Sequence, residues 1–148
     1  MDEREKMCVE VAHDTSKCIW FIDGSHIPFF AAPLDDKESY YTRKICYAMH
    51  LKLVVGLNKR ILILDTGNPV SVHDARVLAN NALAINSDLF FSYGQYIYGD
   101  SAYREYELIL TPFKVNSTFG TLSGRNKLNR HMAERRVLIE NISSRCTK

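Results

Sequence analysis

The sequence predicts an α/β domain built on a mixed β-sheet, and three observations lead to this fold class. Short apolar runs that end in turn residues indicate buried strands. Two of these runs are separated by a two-residue turn, which indicates a β-hairpin. Segments with apolar residues at helical spacing follow the hairpin and occur again near the end of the chain. At 148 residues the chain has the length of one domain with a substantial hydrophobic core.

The first three strands are predicted in the N-terminal half. The run CIWFID (18–23) is apolar and ends in Asp-Gly, which indicates a buried strand closed by a turn. AMHLKLVVGL (48–57) alternates enough to be a second strand. Asn-Lys at 58–59 then supplies a tight turn into RILILD (60–65), so the second and third strands form a hairpin. The residues TGNP break the chain after Asp65.

A helix is predicted after the hairpin, over SVHDARVLANNAL (71–83). Ser71 is its predicted N-cap, and Asp74 stands three residues later in the capping-box position. QYIYGD (95–100) predicts the fourth strand, and ELILTPF (107–113) predicts a short fifth strand that ends at Pro112.

The longest predicted helix covers KLNRHMAERRVLIENISSR (127–145), after a Ser-, Thr-, Gly- and Asn-rich loop at 114–126. A strand, a hairpin, a crossover helix, two further strands and a final helix laid on the sheet form the ribonuclease H-like plan. This plan predicts the strand order 3-2-1-4-5 in one domain that comprises residues 1–148.

Composition excludes several classes of protein. No apolar run approaches the roughly 20 residues of a membrane helix, and the first residues, MDEREKM, lack the apolar stretch of a secretory signal. The cysteines are scattered without a C-x-x-C pair, which argues against a zinc ribbon or a disulfide scaffold and favours a reducing compartment. They are Cys8, Cys18, Cys46 and Cys146.

Charge is distributed unevenly along the chain. Residues 1–113 contain 11 basic and 15 acidic side chains, whereas residues 114–148 contain 8 basic and 2 acidic ones. A cationic C-terminal quarter is typical of proteins that bind a polyanion such as DNA. A solvated helix face is the alternative explanation.

Two acids are predicted to meet at one edge of the sheet. In the predicted plan the first and fourth strands are adjacent and parallel, so Asp23 and Asp100 emerge side by side, about 4.8 Å apart. Asp65 also ends a strand, but the third strand is separated from the first by the second and is about 10 Å from it. The geometry therefore favours Asp100 over Asp65 as the neighbour of Asp23.

The final helix offers a third acid. Glu140 adjoins the apolar residues VLI, so it is predicted at the margin of the buried face, where a carboxylate is costly unless it is paired or bound to metal. Arg136 lies one helical turn earlier and can orient this carboxylate. Glu134, next to Arg135, is predicted to be solvated.

Three carboxylates at one end of a sheet suit two Mg²⁺ or Mn²⁺ ions, because these cations prefer hard oxygen ligands. A site with two such ions promotes in-line attack on a phosphodiester. One ion activates the nucleophile and the other stabilises the leaving oxygen. The alternative is that these acids are two turn aspartates and a surface glutamate.

The segments FIDGSHIPF, ILDTGNPVSVHDARVLANNAL, YGDSAYREYELILTPF and NRHMAERRVLIEN occur in an order that resembles Harbinger-type (PIF/Harbinger) transposases. The chain is similar to their DDE-superfamily endonuclease domain from about Cys18 to Asn141. The resemblance implies a catalytic and metal-binding triad of Asp23, Asp100 and Glu140. It further implies a nuclear enzyme that cuts DNA with divalent metal and works with a separate Myb- or trihelix-like DNA-binding protein.

The chain also departs from that family. Relatives carry a longer region before the first acid and continue beyond the last helix, so we expect a domain truncated at both ends. A domesticated or decayed derivative that binds DNA or a protein partner without cleavage is therefore the second hypothesis. The oligomeric state is not predicted.

Other side chains are assigned supporting roles. Asp65, His73, Asp74 and Arg136 are predicted to surround the acids, with helix capping as the alternative for His73 and Asp74. His26 is expected to be packed or hydrogen-bonded near the strand end. Phosphate contacts are predicted for a group of basic residues near the third acid: Arg125, Lys127, Arg130 and Arg135.

The run ILILDTGNP contains the Asp-Thr-Gly of pepsin-like aspartic proteases. Such enzymes need two of these loops with close carboxylates that share a proton. The chain has one, so this interpretation is disfavoured.

Overall fold

A computed structural model of the chain describes residues 15–103, 106–114 and 121–146. Its centre is a five-stranded sheet with the strand order β3-β2-β1-β4-β5. The strands are β1 (Cys18–Pro28), β2 (Ala48–Gly56), β3 (Ile61–Pro69), β4 (Tyr96–Tyr98) and β5 (Ile109–Leu110). The first three pair antiparallel, whereas β4 pairs parallel with β1 and with β5. The predicted mixed α/β sheet and its order are confirmed.

Helices cover both faces of this sheet. On one face lies the long helix α4 (Leu122–Cys146), and the crossover between β3 and β4 contributes three short helices to the other face. These are α1 (Asp74–Ala79), α2 (Ala82–Ile85) and α3 (Ser87–Phe90). No helix in the described ranges is long and apolar enough to cross a membrane.

Two hydrophobic clusters form because successive strand residues point to opposite faces. The α4 side buries Phe21 and Leu53 of the sheet against Leu128, Met132 and Ile139 of the helix. The crossover side buries Ile22, Val54, Ile97 and Ile109 with Leu78, Leu83 and Tyr103. Each face of β1 therefore packs against one layer of helices. Side chains on opposite faces of the strand cannot contact each other.

Strands β1 and β3 are longer than predicted. Asp23 lies inside β1, which stays paired with β2 as far as the Pro28–Ala48 pair. Asp65 lies inside β3, which stays paired with β2 as far as Pro69. The prediction that these two acids end their strands is wrong, because a long neighbour continues to supply hydrogen bonds past the turn-like residues. Asp23 instead lies where β1 loses its pairing with β4.

The predicted helix at 71–83 is divided. His73, and not Ser71, is the N-cap of α1, and Asp74 is the first helical residue. The helix ends before Asn81, whose Oδ1 accepts a hydrogen bond from Leu83 N (3.0 Å) and so caps α2 instead. Side chains of this type compete with the backbone for hydrogen bonds, which explains the break.

The later boundaries also differ from the predicted ones. Strands β4 and β5 are shorter than the predicted segments 95–100 and 107–113. Helix α4 begins at Leu122, five residues before the predicted start. Thr121 caps it, since its Oγ1 accepts a hydrogen bond from Gly124 N (3.1 Å). The remaining part of the predicted loop, 115–120, lies outside the described residues.

Candidate active site

Asp23 and Asp100 lie side by side at the carboxyl edge of β1 and β4. Phe21 is the register partner of Tyr98, and their rings are 5.7 Å apart on the α4 face of the sheet. Asp23 follows Phe21 by two residues and Asp100 follows Tyr98 by two residues, so both carboxylates lie on this same face. Both acids are partly buried.

A cavity of about 200 Å³ separates these acids from α4. Its walls are mainly apolar, and its polar lining includes Asp23, Asp100, Asn129 and Arg136. Asn129 also holds the segment after β5, because its side chain accepts from Phe113 N (2.9 Å) and donates to Phe113 O (3.2 Å). The cavity is thus an apolar recess with two carboxylates and one guanidinium on its surface.

The surroundings of Asp23 disfavour its negative charge. Burial raises the pKa of its carboxyl, and the negative charges of Asp100 and Glu140 raise it further. A hydrogen bond with Ser143 and the charge of Arg136 oppose this increase. Asp23 therefore lies within the electrostatic range of both other predicted acids, in surroundings that favour a cation.

Asp100 is fixed by the turn that follows β4. Its Oδ1 accepts a hydrogen bond from Ala102 N (2.7 Å), and its carbonyl accepts one from Tyr103 N (3.2 Å). Gly99 precedes it in a tightly packed place: a β-carbon there would lie 2.7 Å from Ile109 Cγ2 and 2.9 Å from Ile22 Cγ2. Packing on one side and the turn on the other therefore orient this carboxylate.

Glu140 does not line the cavity in this arrangement. Its Oε1 accepts a hydrogen bond from Nε of Arg136 at 2.7 Å, and both side chains are 53% exposed. The predicted interaction between residues one helical turn apart is present. It directs Glu140 towards the guanidinium, while Ser143, one turn further along α4, makes the hydrogen bond with Asp23.

Within the described ranges, no group of three or more His, Cys, Asp or Glu side chains is arranged to hold a metal ion. The donor chemistry of Asp23 and Asp100 nevertheless fits Mg²⁺ or Mn²⁺, since both are carboxylates and the pKa of Asp23 is raised by burial and, to a smaller extent, by the charge of Asp100. Glu140 is held by Arg136 and is not part of this pair.

A second polar group lies on the opposite face of β1. Gly24 pairs with Lys52, whose side chain is 2% exposed and donates from Nζ to the carbonyl oxygen of Asp74 (2.6 Å). The Nζ also lies 5.0 Å from the centre of the Tyr103 ring. A β-carbon at Gly24 would lie 3.1 Å from both Asp74 Oδ1 and Tyr103 Oη. This group therefore lies on the face of β1 opposite the acids.

Sequence reasoning missed Lys52, Tyr103 and Ser143. Lys52 has one usable signal: it interrupts the apolar run LKLVVG in the middle of a strand. Ser143 has a weaker one, since it follows Glu140 by three residues on the same helix. Tyr103 shares the YGDSAY segment with Asp100 but carries no signal of its own.

The predicted surrounding residues divide between the two faces of the sheet. Asp65 pairs with Lys52, so it lies on the crossover face, away from Asp23, and accepts a hydrogen bond from Asn81 Nδ2 (3.0 Å). Asp74 Oδ1 lies 3.8 Å from Nδ1 of His50. His73 is exposed at the start of α1.

The predicted phosphate contacts all lie on α4, but they do not form one surface. Lys127 and Arg130 are exposed, whereas Arg125 and Arg135 are partly buried. Arg135 lies near β1 and β4, because its charge opposes the increase in the pKa of Cys18 and of Tyr98 that burial causes. Burial raises both of these pKa values to about 12.

The strand order and the helices on both faces of the sheet define a domain of ribonuclease H-like fold. The model of the DDE superfamily endonuclease family matches residues 22–148, which is most of the chain. The chain therefore belongs to the DDE superfamily endonuclease family. No curated protein and no solved structure matches it.

Proposed function

We propose that this chain is the metal-dependent DNA endonuclease and strand-transfer domain of a Harbinger-type transposase or of a nuclease derived from one. The observation that carries the proposal is the convergence of Asp23 and Asp100 at one end of the cavity below α4. Membership of the endonuclease family supports cleavage of DNA as the reaction class.

In this proposal Asp23, Asp100 and Glu140 bind two divalent ions, Mg²⁺ or Mn²⁺. When bound, such ions activate the attacking oxygen and stabilise the leaving oxygen of a phosphodiester. Asp100 is oriented in advance by its turn, whereas Glu140 has to leave Arg136. The released guanidinium is then free to contact a phosphate at the edge of the cavity.

We also propose DNA as the substrate, a nuclear location and a separate Myb- or trihelix-like partner for recognition of the DNA ends. Resemblance supports the location and the partner. The cationic residues of α4 support the DNA contact, with Lys127 and Arg130 exposed and Arg125 and Arg135 partly buried.

Nicking of supercoiled plasmid DNA in the presence of Mn²⁺ tests the proposal. We expect the wild-type chain to nick the plasmid and Asp100→Asn to be inactive, because one cation ligand is lost. Asp88→Asn is the matched control, since Asp88 is an exposed acid on α3, away from the cavity. Equal nicking by the wild type and by Asp100→Asn would disprove the assignment of the acids.

A domesticated derivative that binds DNA or a protein partner without cleavage is the second candidate. The observation that favours it is the ion pair between Arg136 and Glu140, which leaves two acids at the cavity. Titration calorimetry with Mn²⁺ separates the two candidates. Metal binding that is lost in Asp23→Asn supports the nuclease, whereas DNA binding without any metal binding supports the derivative.

A further inference from the structure

The connection between β1 and β2 contains a small hairpin, residues 41–47, which we call the basic tip. Tyr41 and Tyr47 form an isolated antiparallel bridge, and their rings are 5.2 Å apart. Thr42 N donates to Cys46 O at 2.9 Å and closes the hairpin. The tip is therefore a hydrogen-bonded element of its own, outside the five strands of the main sheet.

Thr42 organises the basic tip from inside. This buried side chain donates from Oγ1 to Cys46 O (2.9 Å) and accepts from Lys44 N (3.2 Å). Its carbonyl oxygen accepts from Ile45 N at 3.1 Å. These bonds fix the backbone that carries the three residues between Thr42 and Cys46.

Ile45 has an unusual conformation at this position. Its φ of 61° lies in the left-handed region, which a β-branched residue rarely adopts. Its side chain is 80% exposed, so burial does not offset the strain. Strain that the surrounding structure maintains is concentrated at functional positions. The basic tip thus holds an apolar side chain out towards solvent.

Cations flank this side chain. Arg43 and Lys44 are both exposed, and residues 41–47 include no acid. Lys44 also lies near His26 at the far end of β1, on the face opposite the acids, because its positive charge adds to the decrease in the pKa of His26 that burial causes. The basic tip therefore combines one projecting apolar group with two positive charges, on the side of the molecule where β1 ends.

The basic tip lies beyond the acids along β1. This strand continues five residues past Asp23, to Pro28, and Phe29 N then donates to Tyr47 O at 2.7 Å. Five extended residues span about 16 Å. A DNA duplex with its scissile phosphate at the acids would reach the basic tip if it extended about this distance along β1.

We propose that the basic tip is a contact for double-stranded DNA beside the cleavage position, with Arg43 and Lys44 on the phosphates and Ile45 inserted against a base step. Apolar wedges flanked by Arg and Lys occur in proteins that bind and kink the minor groove. The inference rests on the proposed function, because it takes DNA as the substrate of the neighbouring acids.

The charge contribution is tested with a fluorescently labelled duplex of about 30 base pairs in metal-free buffer. We expect Arg43→Gln/Lys44→Gln to weaken binding about tenfold and to reduce the salt slope by about two. Lys59→Gln/Arg60→Gln is the matched control, since it removes two adjacent exposed cations from the opposite end of β2. The control should retain most of the affinity and the slope.

The wedge is tested by energy transfer between dyes at the two ends of the same duplex. We expect the wild-type chain to bend the DNA by about 20° or more, and Ile45→Gly to abolish this bending while keeping most of the phosphate-dependent affinity. Glycine accepts the left-handed backbone, so this variant retains the shape of the basic tip. Ile45→Asn tolerates the same backbone and should behave alike.

Two different failures can be distinguished. If the wild-type chain binds DNA and the basic-tip variants match the Lys59→Gln/Arg60→Gln control, the inference is wrong and the proposed function stands. If the wild-type chain neither binds nor nicks DNA, the proposed function fails and the inference fails with it.

Discussion

Asp23 combines partial burial, a hydrogen bond with Ser143 and two negative neighbours. Burial raises the pKa of its carboxyl above the ordinary value of 3.8, and the opposing charge of Arg136 does not remove this increase. The negative charge of this carboxylate is therefore unfavourable in the metal-free protein. Its surroundings are suited to a positive ion.

Asp23→Asn should therefore stabilise the metal-free protein at pH 7. A raised pKa means that the folded state binds a proton more readily than the unfolded state, so stability falls as pH rises from 3.8 through the folded pKa. The gain should be complete above that folded pKa and absent below pH 3.8, where both states are protonated. Thermal unfolding at several pH values with a chelator measures it. Asp88→Asn should show no such gain, and equal melting temperatures for Asp23→Asn and the wild type would contradict the prediction.

Lys52 gives a prediction of the opposite sign. Burial lowers the pKa of its amine below 10.5, although Asp74 partly opposes this decrease. Between the folded pKa and 10.5 the unfolded chain keeps the proton that the folded chain loses, so stability gains a contribution as pH rises. Compared with Lys52→Met, the wild type should therefore become relatively more stable towards pH 10.5. Urea denaturation across this range measures the difference. Parallel curves for the two proteins would contradict the prediction, and Lys59→Met is the exposed control.

At the scale of elements, the position directly after β4 has room only for a glycine, Gly99. Gly99→Ala should destabilise the protein by about 1–3 kcal/mol, because its β-carbon would overlap Ile109 and Ile22 in the buried layer. Chemical denaturation measures the loss, and calorimetry should show weaker Mn²⁺ binding because Asp100 follows directly. Gly67→Ala is the comparison: it has no neighbour within 4 Å, and its φ of 92° makes the cost one of backbone conformation. Gly67→Ala should leave Mn²⁺ affinity unchanged.

Sequence pattern predicted the strand order and the proximity of Asp23 and Asp100. The hairpin turn identifies β2 and β3 as antiparallel neighbours, whereas the position of β4 beside β1 followed from the ribonuclease H-like plan as a whole. The strand ends were not predictable in this way. Asp23 and Asp65 look like terminal residues, but a longer neighbouring strand continues to pair with the chain beyond them.

The remaining details of the site depend on contacts that no local pattern encodes. Burial of Lys52 depends on the backbone of Asp74 in α1, twenty-two residues later in the chain. Several rotamers are open to the side chain of Glu140, and its hydrogen bond with Arg136 selects one of them. The roles of Asp23, Asp100 and Glu140 as catalytic ligands stay predictions.

At the scale of the whole molecule, binding of a divalent cation should be visible as added stability. A ligand that binds the folded state alone raises the melting temperature as its concentration increases. We expect Mn²⁺ to stabilise the wild type by about 2.7 kcal/mol at one hundred times its dissociation constant. Asp100→Asn should lose this response, whereas Asp88→Asn should keep it. A response of equal size in Asp100→Asn would show that the ion binds elsewhere.

The two halves of the sheet differ greatly in length. Strands β1, β2 and β3 comprise 11, 9 and 9 residues, whereas β4 and β5 comprise 3 and 2. Segments with few backbone hydrogen bonds open locally at a lower free energy than the rest of a domain. Amide hydrogens of β4 should therefore exchange with solvent sooner than those in the middle of β2.

Such an opening would separate Asp100 from Asp23 while the three long strands stay folded. Heating should consequently separate the two acids at a temperature below that of cooperative unfolding. A ligand bound by both acids would bring these two temperatures together, because it would hold the short strands of the sheet to the long ones.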